Sequence, residues 1–185
     1  MNPIEKYIPT SSQTVGPYFR IGLQYLLERA PSVQPGGNNI EIHGQVFDRD
    51  GAPVPDAVLE FWSAATDADQ LAGQDQHGYP AGFRRAPTDQ EGRFSAVIAR
   101  PSPTKLGDGQ MQAPHLLVLV FTRGLLRNLI SRVYFADQNA NDADPVLQGI
   151  PPERRGTLIA QPDGPAAYRW NVILQGDCET VFFAW

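Results

Sequence analysis

Chemistry in this 185-residue chain would have to come from few side chains, among them three histidines, six tyrosines and one cysteine. His43 alternates with apolar neighbours, which predicts an exposed strand residue. His77 lies beside Gly78 and Pro80 and is expected in a loop, because a metal ligand needs convergent partners. His115 opens an apolar run, where a core-edge histidine with a satisfied hydrogen bond is typical. A hydrolase or metalloenzyme built on His43 or His77 stays an open alternative.

Cys178 is a poor candidate for a catalytic thiol. It lies between Asp177 and Glu179, whose negative charges disfavour the thiolate form. A lone cysteine cannot form an internal disulfide, which suits a reducing compartment, so we expect a cytoplasmic protein. The sequence holds no glycine-rich phosphate loop, serine nucleophile elbow or CxxC pair, and the enzyme classes that depend on these motifs are excluded.

The segment 12–18, which reads SQTVGPY, is unusual enough to line a pocket. Gly16 and Pro17 expose backbone and fix a turn, while Thr14 and Tyr18 place hydroxyls beside that turn. The residues alone leave a second interpretation open, in which Tyr18 and Phe19 merely pack an N-terminal arm.

Period-two alternation and apolar runs predict about eight strands that could position these residues. We expect strands at 40–46, 57–62, 93–98, 115–121, 130–135, 157–160, 168–174 and 180–183. The economical fold is an all-β, two-sheet β-sandwich. An amphipathic stripe predicts one short helix over 21–29, and short helical pieces are allowed at 151–155. The polar segment 63–87 reads as a long loop, of the kind that either carries function or has lost it. We assign 1–36 to an arm and short helix at a subunit interface, and 37–185 to the sandwich.

Net charge excludes one class of partner. A net charge of −5 and a pI near 5.1 argue against nucleic acid, whose binding needs clustered Lys and Arg. The longest apolar run, 116–121, is too short to span a bilayer, and residues 1–10 lack a signal-peptide pattern, so we expect no membrane association.

Taken together, several segments resemble the intradiol ring-cleaving dioxygenases. The matching segments are 12–18, 44–48, 51–57, 60–62, 88–94, 113–115, 132–135 and 179–183. The turn-and-strand piece at 44–57 alone would be weak, because many sandwiches of transthyretin- or Ig-like topology share it. Joined to the GPY segment and the Phe-Trp strand, it is specific, and that topology becomes the expectation.

The resemblance implies a ferric cofactor. Catalytic chains of the family hold Fe(III) with two tyrosinates and two imidazoles, as suits a hard trivalent ion. At the matching positions this chain has Gln70 and Ser102 for the tyrosines, and His115 and Leu117 for the His-x-His pair. One ligand of four remains. Serine and leucine cannot replace a phenolate and an imidazole, so we expect no metal site and no catalytic residue in this chain alone.

This pattern resembles the non-metal-binding α chains of the family, whose homologous β subunit holds the iron. The implied unit is an αβ pair, in a higher oligomer, that cleaves protocatechuate (3,4-dihydroxybenzoate) with O2. The resemblance places Thr14, Gly16, Pro17 and Tyr18 in the substrate pocket, with Arg132 nearby. A guanidinium there would favour the substrate carboxylate. The alternative is a non-catalytic transthyretin-like binding module, which assigns no function to the N-terminal arm.

Overall fold

A computed structural model describes residues 10–16, 18–28, 34–63 and 82–184. Helix α1 spans Tyr18–Glu28, and two one-turn helices follow late in the chain, α2 at Pro145–Gln148 and α3 at Pro152–Arg155. Short 3-10 segments lie at Asn139–Ala143 and Gly156–Leu158. Helix α1 begins three residues before the start predicted for it, and α3 falls within the stretch where helical pieces are expected.

Strands make up most of the regular structure, which confirms the β-rich prediction. They are β1 Asn39–Phe47, β2 Val58–Ser63, β3 Phe83–Pro87, β4 Arg93–Ala99, β5 Thr104–Lys105, β6 Met111–Gln112, β7 His115–Phe121, β8 Leu129–Phe135, β9 Ile159–Pro162, β10 Ala167–Arg169 and β11 Val172–Ile173. Strand β3 lies inside the segment predicted to be a loop. No strand is formed by residues 180–183.

The main strands pair in one continuous path instead of two separate sheets. The order is β11-β1-β10-β9-β8-β7-β2-β3, with β4 also paired to β1, while β5 and β6 form a small hairpin. Strand β9 joins the halves because Ala160 pairs in parallel with Phe135 of β8, and Gln161 pairs antiparallel with Arg169 of β10. The ends of the path approach each other, since Arg84 Nε of β3 donates to the Val97 carbonyl of β4 at 3.0 Å. The wall is therefore barrel-like, and the two-sheet sandwich is not confirmed.

Alternation along β7 and β8 divides their side chains between two apolar clusters. Leu116 and Val133 face the main core, which is enclosed by the curled sheet. Tyr134 faces a smaller cluster with Leu147 and Leu158, outside the main core. Because successive side chains of a strand point to opposite faces, the positions that flank Leu116 and Val133 share the second face.

The strand predicted over 168–174 is broken by a side chain. Trp170 still donates its backbone amide to the His43 carbonyl at 2.9 Å, but the next partner of β1 is Asn171 Oδ1, which accepts from the Gln45 amide at 3.1 Å. The pairing then resumes between Val46 and Val172. A side-chain amide thus replaces one rung of the backbone ladder, which separates β10 from β11.

None of the helices in the described part of the chain has the length and hydropathy needed to cross a bilayer. The division into 1–36 and 37–185 stays a prediction.

Candidate functional site

The N-terminal arm is fastened to the connection between β7 and β8. Thr14 Oγ1 accepts a hydrogen bond from the Gly124 backbone amide at 2.8 Å. Gly16 turns the chain into α1 with a φ of 63°, a conformation that disfavours side chains with a Cβ. Just beyond, the Phe19 ring packs on Phe121 with centroids 5.2 Å apart. The arm therefore lies along the end of the β7–β8 hairpin.

A groove of about 630 Å³ runs between the arm, the β7–β8 connection and the C-terminal tail. Its lining is mostly apolar and comprises Gln13, Val15, Phe121, Thr122, Leu125, Leu126, Arg127, Asn128, Leu129, Ile130, Phe183 and Ala184. Thr14 and Gly16 flank lining residues, whereas Tyr18 is 79% exposed and does not line the groove. Pro17 lies outside the described residues.

Arg132 lies half-buried on β8, opposite Leu117 of β7. Its Nη1 donates to the Tyr134 hydroxyl at 3.3 Å, and its guanidinium lies over the Phe183 ring, 5.9 Å from the centroid. Within the described residues, no carboxylate oxygen approaches this guanidinium to within 4.0 Å. A planar group with five donors is therefore left with one hydrogen bond and spare capacity for an anion.

Tyr134 and Asp144 form a buried polar pair behind Arg132. Both are 0% exposed, and the Tyr134 hydroxyl donates to Asp144 Oδ1 at 3.2 Å. The carboxylate also accepts from the backbone amides of Ala113 at 2.8 Å and of Val146 and Leu147 at 2.9 Å each. Burial raises the pKa of Tyr134 far above its ordinary value. The phenol is thus neutral at any physiological pH.

The amino-acid sequence alone does not single out Tyr134 and Asp144. A local signal exists, because Asp144 followed by Pro145 is a typical N-cap with proline at the first helical position, and both serve α2 in this way. Nothing local shows that the same carboxylate also accepts from Tyr134, which comes from a different strand.

His115 is held as part of the packing on the same face of the hairpin. It is 7% exposed, its ring lies 5.3 Å from that of Tyr134, and its Nδ1 is 2.8 Å from the Ala113 carbonyl. Because a carbonyl only accepts, Nδ1 carries the proton. Burial, together with the positive charge of Arg132, lowers the pKa of His115 despite the carbonyl contact that raises it.

The positions that match iron ligands do not fit a ferric ion. His115 could offer its Nε2 lone pair, but Leu117 offers no donor and Ser102 offers only a weakly acidic hydroxyl. Gln70 lies outside the described residues. Among those residues, no three His, Cys, Asp or Glu side chains converge as a metal site would require. We therefore derive no reaction step at a metal in this chain.

The structure brings some of the predicted site residues together. His115, Leu117 and Arg132 share one face of the β7–β8 hairpin, as the register His115↔Tyr134 and Leu117↔Arg132 requires. Phe183 links this face to the arm, because its ring lies under Arg132 and also lines the groove beside Val15. Tyr18 is not part of this arrangement.

A second groove, of about 840 Å³, lies on the outer face of β1, β4 and β10. His43 lines it, with Nε2 3.3 Å from Asp163 Oδ2, and Arg169 Nε lies 3.9 Å from the same oxygen. His43 is half-buried in the structure, whereas the sequence predicts an exposed strand residue. His77 lies outside the described residues.

A β-rich, barrel-like domain with a docked N-terminal arm is the class of protein that this geometry defines. A model of the dioxygenase family matches residues 16–176. The chain belongs to the intradiol ring-cleaving dioxygenase family. Over 192 residues it is 40% identical to the protocatechuate 3,4-dioxygenase alpha chain of Burkholderia cepacia, with 94% of this chain and 96% of that one covered.

Two further proteins resemble this chain more distantly. The protocatechuate 3,4-dioxygenase beta chain of the same organism is 27% identical, with 77% of this chain and 67% of that one covered. The structure of catechol 1,2-dioxygenase from Acinetobacter sp. ADP1 superposes with a TM-score of 0.57 at 18% identity. That match covers 77% of this chain and 54% of the catechol enzyme, so it shows a shared fold.

Proposed function

We propose that this chain is the α subunit of a protocatechuate 3,4-dioxygenase, in which a homologous β subunit holds the ferric iron. The αβ unit converts 3,4-dihydroxybenzoate and O2 to 3-carboxy-cis,cis-muconate. The likeness to an alpha chain over nearly the full length supports this role, and the weaker likeness to a beta chain supports a homologous partner. The active enzyme is a higher oligomer of that unit.

The observation that carries the proposal is the free charge of Arg132. The guanidinium of this half-buried side chain has no carboxylate partner among the described residues, so its remaining donors can bind an anion. The substrate of the proposed enzyme is an aromatic carboxylate. Arg132 would bind that carboxylate through charge-assisted hydrogen bonds, and its planar fork matches the geometry.

The arm contributes the other part of the pocket wall. Thr14 fixes its position through Gly124, and Gly16 presents backbone without a side chain, with no atom within 4 Å of where a Cβ would stand. Such a segment allows close approach by a second chain or a flat aromatic ring. In the proposed unit, Thr14, Gly16, Pro17 and Tyr18 face the partner's iron and the substrate.

The experiment that tests the proposal compares the chain alone with the chain co-expressed with a homologous partner that has intact Tyr and His-x-His motifs. Metal content and the visible ligand-to-metal absorption of ferric tyrosinate are measured on both samples, with oxygen uptake on 3,4-dihydroxybenzoate. We expect iron, colour and activity only in the co-purified complex. Stoichiometric iron and turnover in the isolated chain would overturn the proposal, as would failure of the two chains to associate.

A matched control separates the two subunits' roles. Replacing one histidine of the partner's His-x-His by alanine should abolish iron binding of the complex. The His115→Asn variant of this chain should leave the iron content unchanged, because His115 serves packing on the β7–β8 face.

A further inference from the structure

The orientation of the Arg132 guanidinium is set by neighbouring side chains. An arginine side chain has several rotatable bonds, and holding it in one rotamer costs conformational entropy. Two contacts restrict it here, the hydrogen bond to the Tyr134 hydroxyl at 3.3 Å and the Phe183 ring beneath it. Of these two contacts only the hydrogen bond is directional, so Tyr134 determines which way the N–H donors of Arg132 point.

Tyr134 cannot follow a moving arginine, because it is fixed on its other side. Its ring is fully buried and packs against His115, and its hydroxyl donates to Asp144. Asp144 is in turn held by three backbone amides, those of Val146 and Leu147 in α2 and that of Ala113 just before β7. The position of the hydroxyl therefore depends on backbone that helix α2 and the start of β7 make rigid.

The directions of the two hydrogen bonds of the Tyr134 hydroxyl decide whether the charge of Arg132 is neutralised. The phenol proton is directed at Asp144, so the oxygen lone pairs remain for Arg132. Donation to a carboxylate makes the hydroxyl oxygen a stronger acceptor. Yet the oxygen carries no formal charge, so it orients the guanidinium without neutralising it. An ion pair at the same place would hold Arg132 but remove its capacity for a second anion.

We propose that Tyr134, fixed by Asp144, is a positioning residue that presents the Arg132 guanidinium to the carboxylate of an aromatic acid substrate. This inference rests on the proposed function, since it takes Arg132 as the group that binds that carboxylate. It adds a specificity determinant that lies behind the pocket wall and does not touch the substrate.

The test uses the Tyr134→Phe variant of this chain in the co-purified αβ complex. The ring stays, and Asp144 keeps its three backbone donors, so thermal unfolding should be close to that of the parent complex. With 3,4-dihydroxybenzoate we expect KM to rise about fivefold, the equivalent of one lost hydrogen bond, with kcat little changed. With catechol, which has no carboxylate, both constants should stay the same.

The chain offers a matched control in a second tyrosine whose hydroxyl likewise lies between an aspartate and an arginine. Tyr168 is buried, donates to Asp137 Oδ2 at 2.7 Å and accepts from Arg100 Nη1 at 3.1 Å. The Tyr168→Phe variant removes an equivalent hydroxyl away from Arg132. It should leave the KM for 3,4-dihydroxybenzoate and for catechol unchanged.

A double-mutant cycle with Arg132→Met separates positioning from general packing. If Tyr134 acts through Arg132, then Tyr134→Phe should add nothing in the Arg132→Met background. Equal effects of Tyr134→Phe in both backgrounds, or an unchanged KM for the acid, would overturn the positioning role while leaving the proposed function intact. An unchanged KM in Arg132→Met would instead contradict the proposed use of Arg132, and the positioning role with it.

Discussion

Thr14 and Gly124, far apart in sequence, are joined by a hydrogen bond of 2.8 Å from the glycine amide to the threonine hydroxyl. This is the polar contact that ties the described part of the arm to the β7–β8 connection, and the ring contact between Phe19 and Phe121 supports it from the start of α1. The position of the arm beside the groove thus rests on the Thr14 hydroxyl together with the Phe19–Phe121 contact.

The Thr14→Ala variant should loosen the arm. Loss of one exposed hydrogen bond is worth about 1 kcal/mol, so amide exchange at Gly124 should speed up about fivefold. Hydrogen exchange followed by NMR measures this directly. Thr14→Ser keeps the hydroxyl and should keep the protection. Equal exchange in the two variants would show that the arm is held by other contacts.

Arg132 should distinguish acidic from neutral substrates in the αβ complex. Arg132→Met removes the charge while keeping much of the packing over Phe183, and KM for 3,4-dihydroxybenzoate should rise about tenfold or more. Arg132→Lys keeps the charge without the planar fork, so a smaller rise is expected. Steady-state kinetics with catechol provide the reference. An equal loss on both substrates would mean that Arg132 serves the interface and not the carboxylate.

His115 should make folding stability fall on mild acidification. Its pKa in the folded chain lies below the ordinary value of 6.5, because of burial and the nearby Arg132 charge. The unfolded chain therefore binds the proton more readily, and stability rises with pH in this range. The contribution is fully present above pH 6.5 and is lost as the pH falls below it towards the lowered pKa.

Urea unfolding of the parent chain and of the His115→Asn variant, between pH 7.5 and pH 5.5, measures this effect. The contribution of His115 is the difference between their free energies of unfolding at each pH. The asparagine amide can still donate to the Ala113 carbonyl, yet it does not titrate. The free energy of unfolding should decline more steeply in the parent chain. Parallel declines would show that His115 is protonated equally in both states.

Gly44 should tolerate no side chain. A Cβ at this position would overlap the Trp170 carbonyl, which is backbone and cannot move aside without breaking the β1–β10 pairing. Gly44→Ala should destabilise the chain by about 3 kcal/mol. Gly22→Ala is the control, because Gly22 lies in α1 with no atom within 4 Å of where a methyl group would stand, and should stabilise by roughly 0.5–1 kcal/mol. Thermal or urea unfolding of the two variants gives both values.

Strands with regular alternation were predictable from sequence. In β1 the buried Ile40 and Ile42 alternate with the half-buried Glu41 and His43, and the predicted bounds agree with the structure to within a residue. Strand β3 was missed because its two consecutive arginines conceal any alternation. Arg85 reaches Glu60 across the strand pair, and Arg84 reaches β4, so each charge is satisfied by a partner that local sequence does not show.

The strand predicted at 180–183 was wrong for a related reason. The backbone amides of Thr180 and Phe183 still donate to the carbonyls of Ile173 and Ile130, but side chains take other places in the ladder. Ser131 Oγ donates to the Val181 carbonyl at 2.8 Å, and Thr180 Oγ1 accepts from the Ile173 amide at 2.9 Å. Hydroxyl groups near the edge of a sheet can take the hydrogen bonds that a neighbouring strand would otherwise make, and the segment is then not a regular strand.

Within the candidate site, the family resemblance indicated Arg132 and decided in favour of the arm, whereas the side chains that support Arg132 could be seen only in the structure. Tyr134 meets Asp144 only because β8 and the start of α2 fold against each other. The continuous sheet likewise depends on contacts between distant segments. Strand β9 pairs with both β8 and β10, and no pattern in its four residues predicts this.

Strand β1 lies between one partner from the middle of the chain and two from near its C-terminal end. One edge pairs with β4, close in sequence, but the other pairs with Ala167–Arg169 and Val172–Ile173. During synthesis on the ribosome, that second edge stays open until nearly the whole chain has emerged, and an open edge invites wrong partners. The sheet around β1 can therefore close only after translation has passed residue 173.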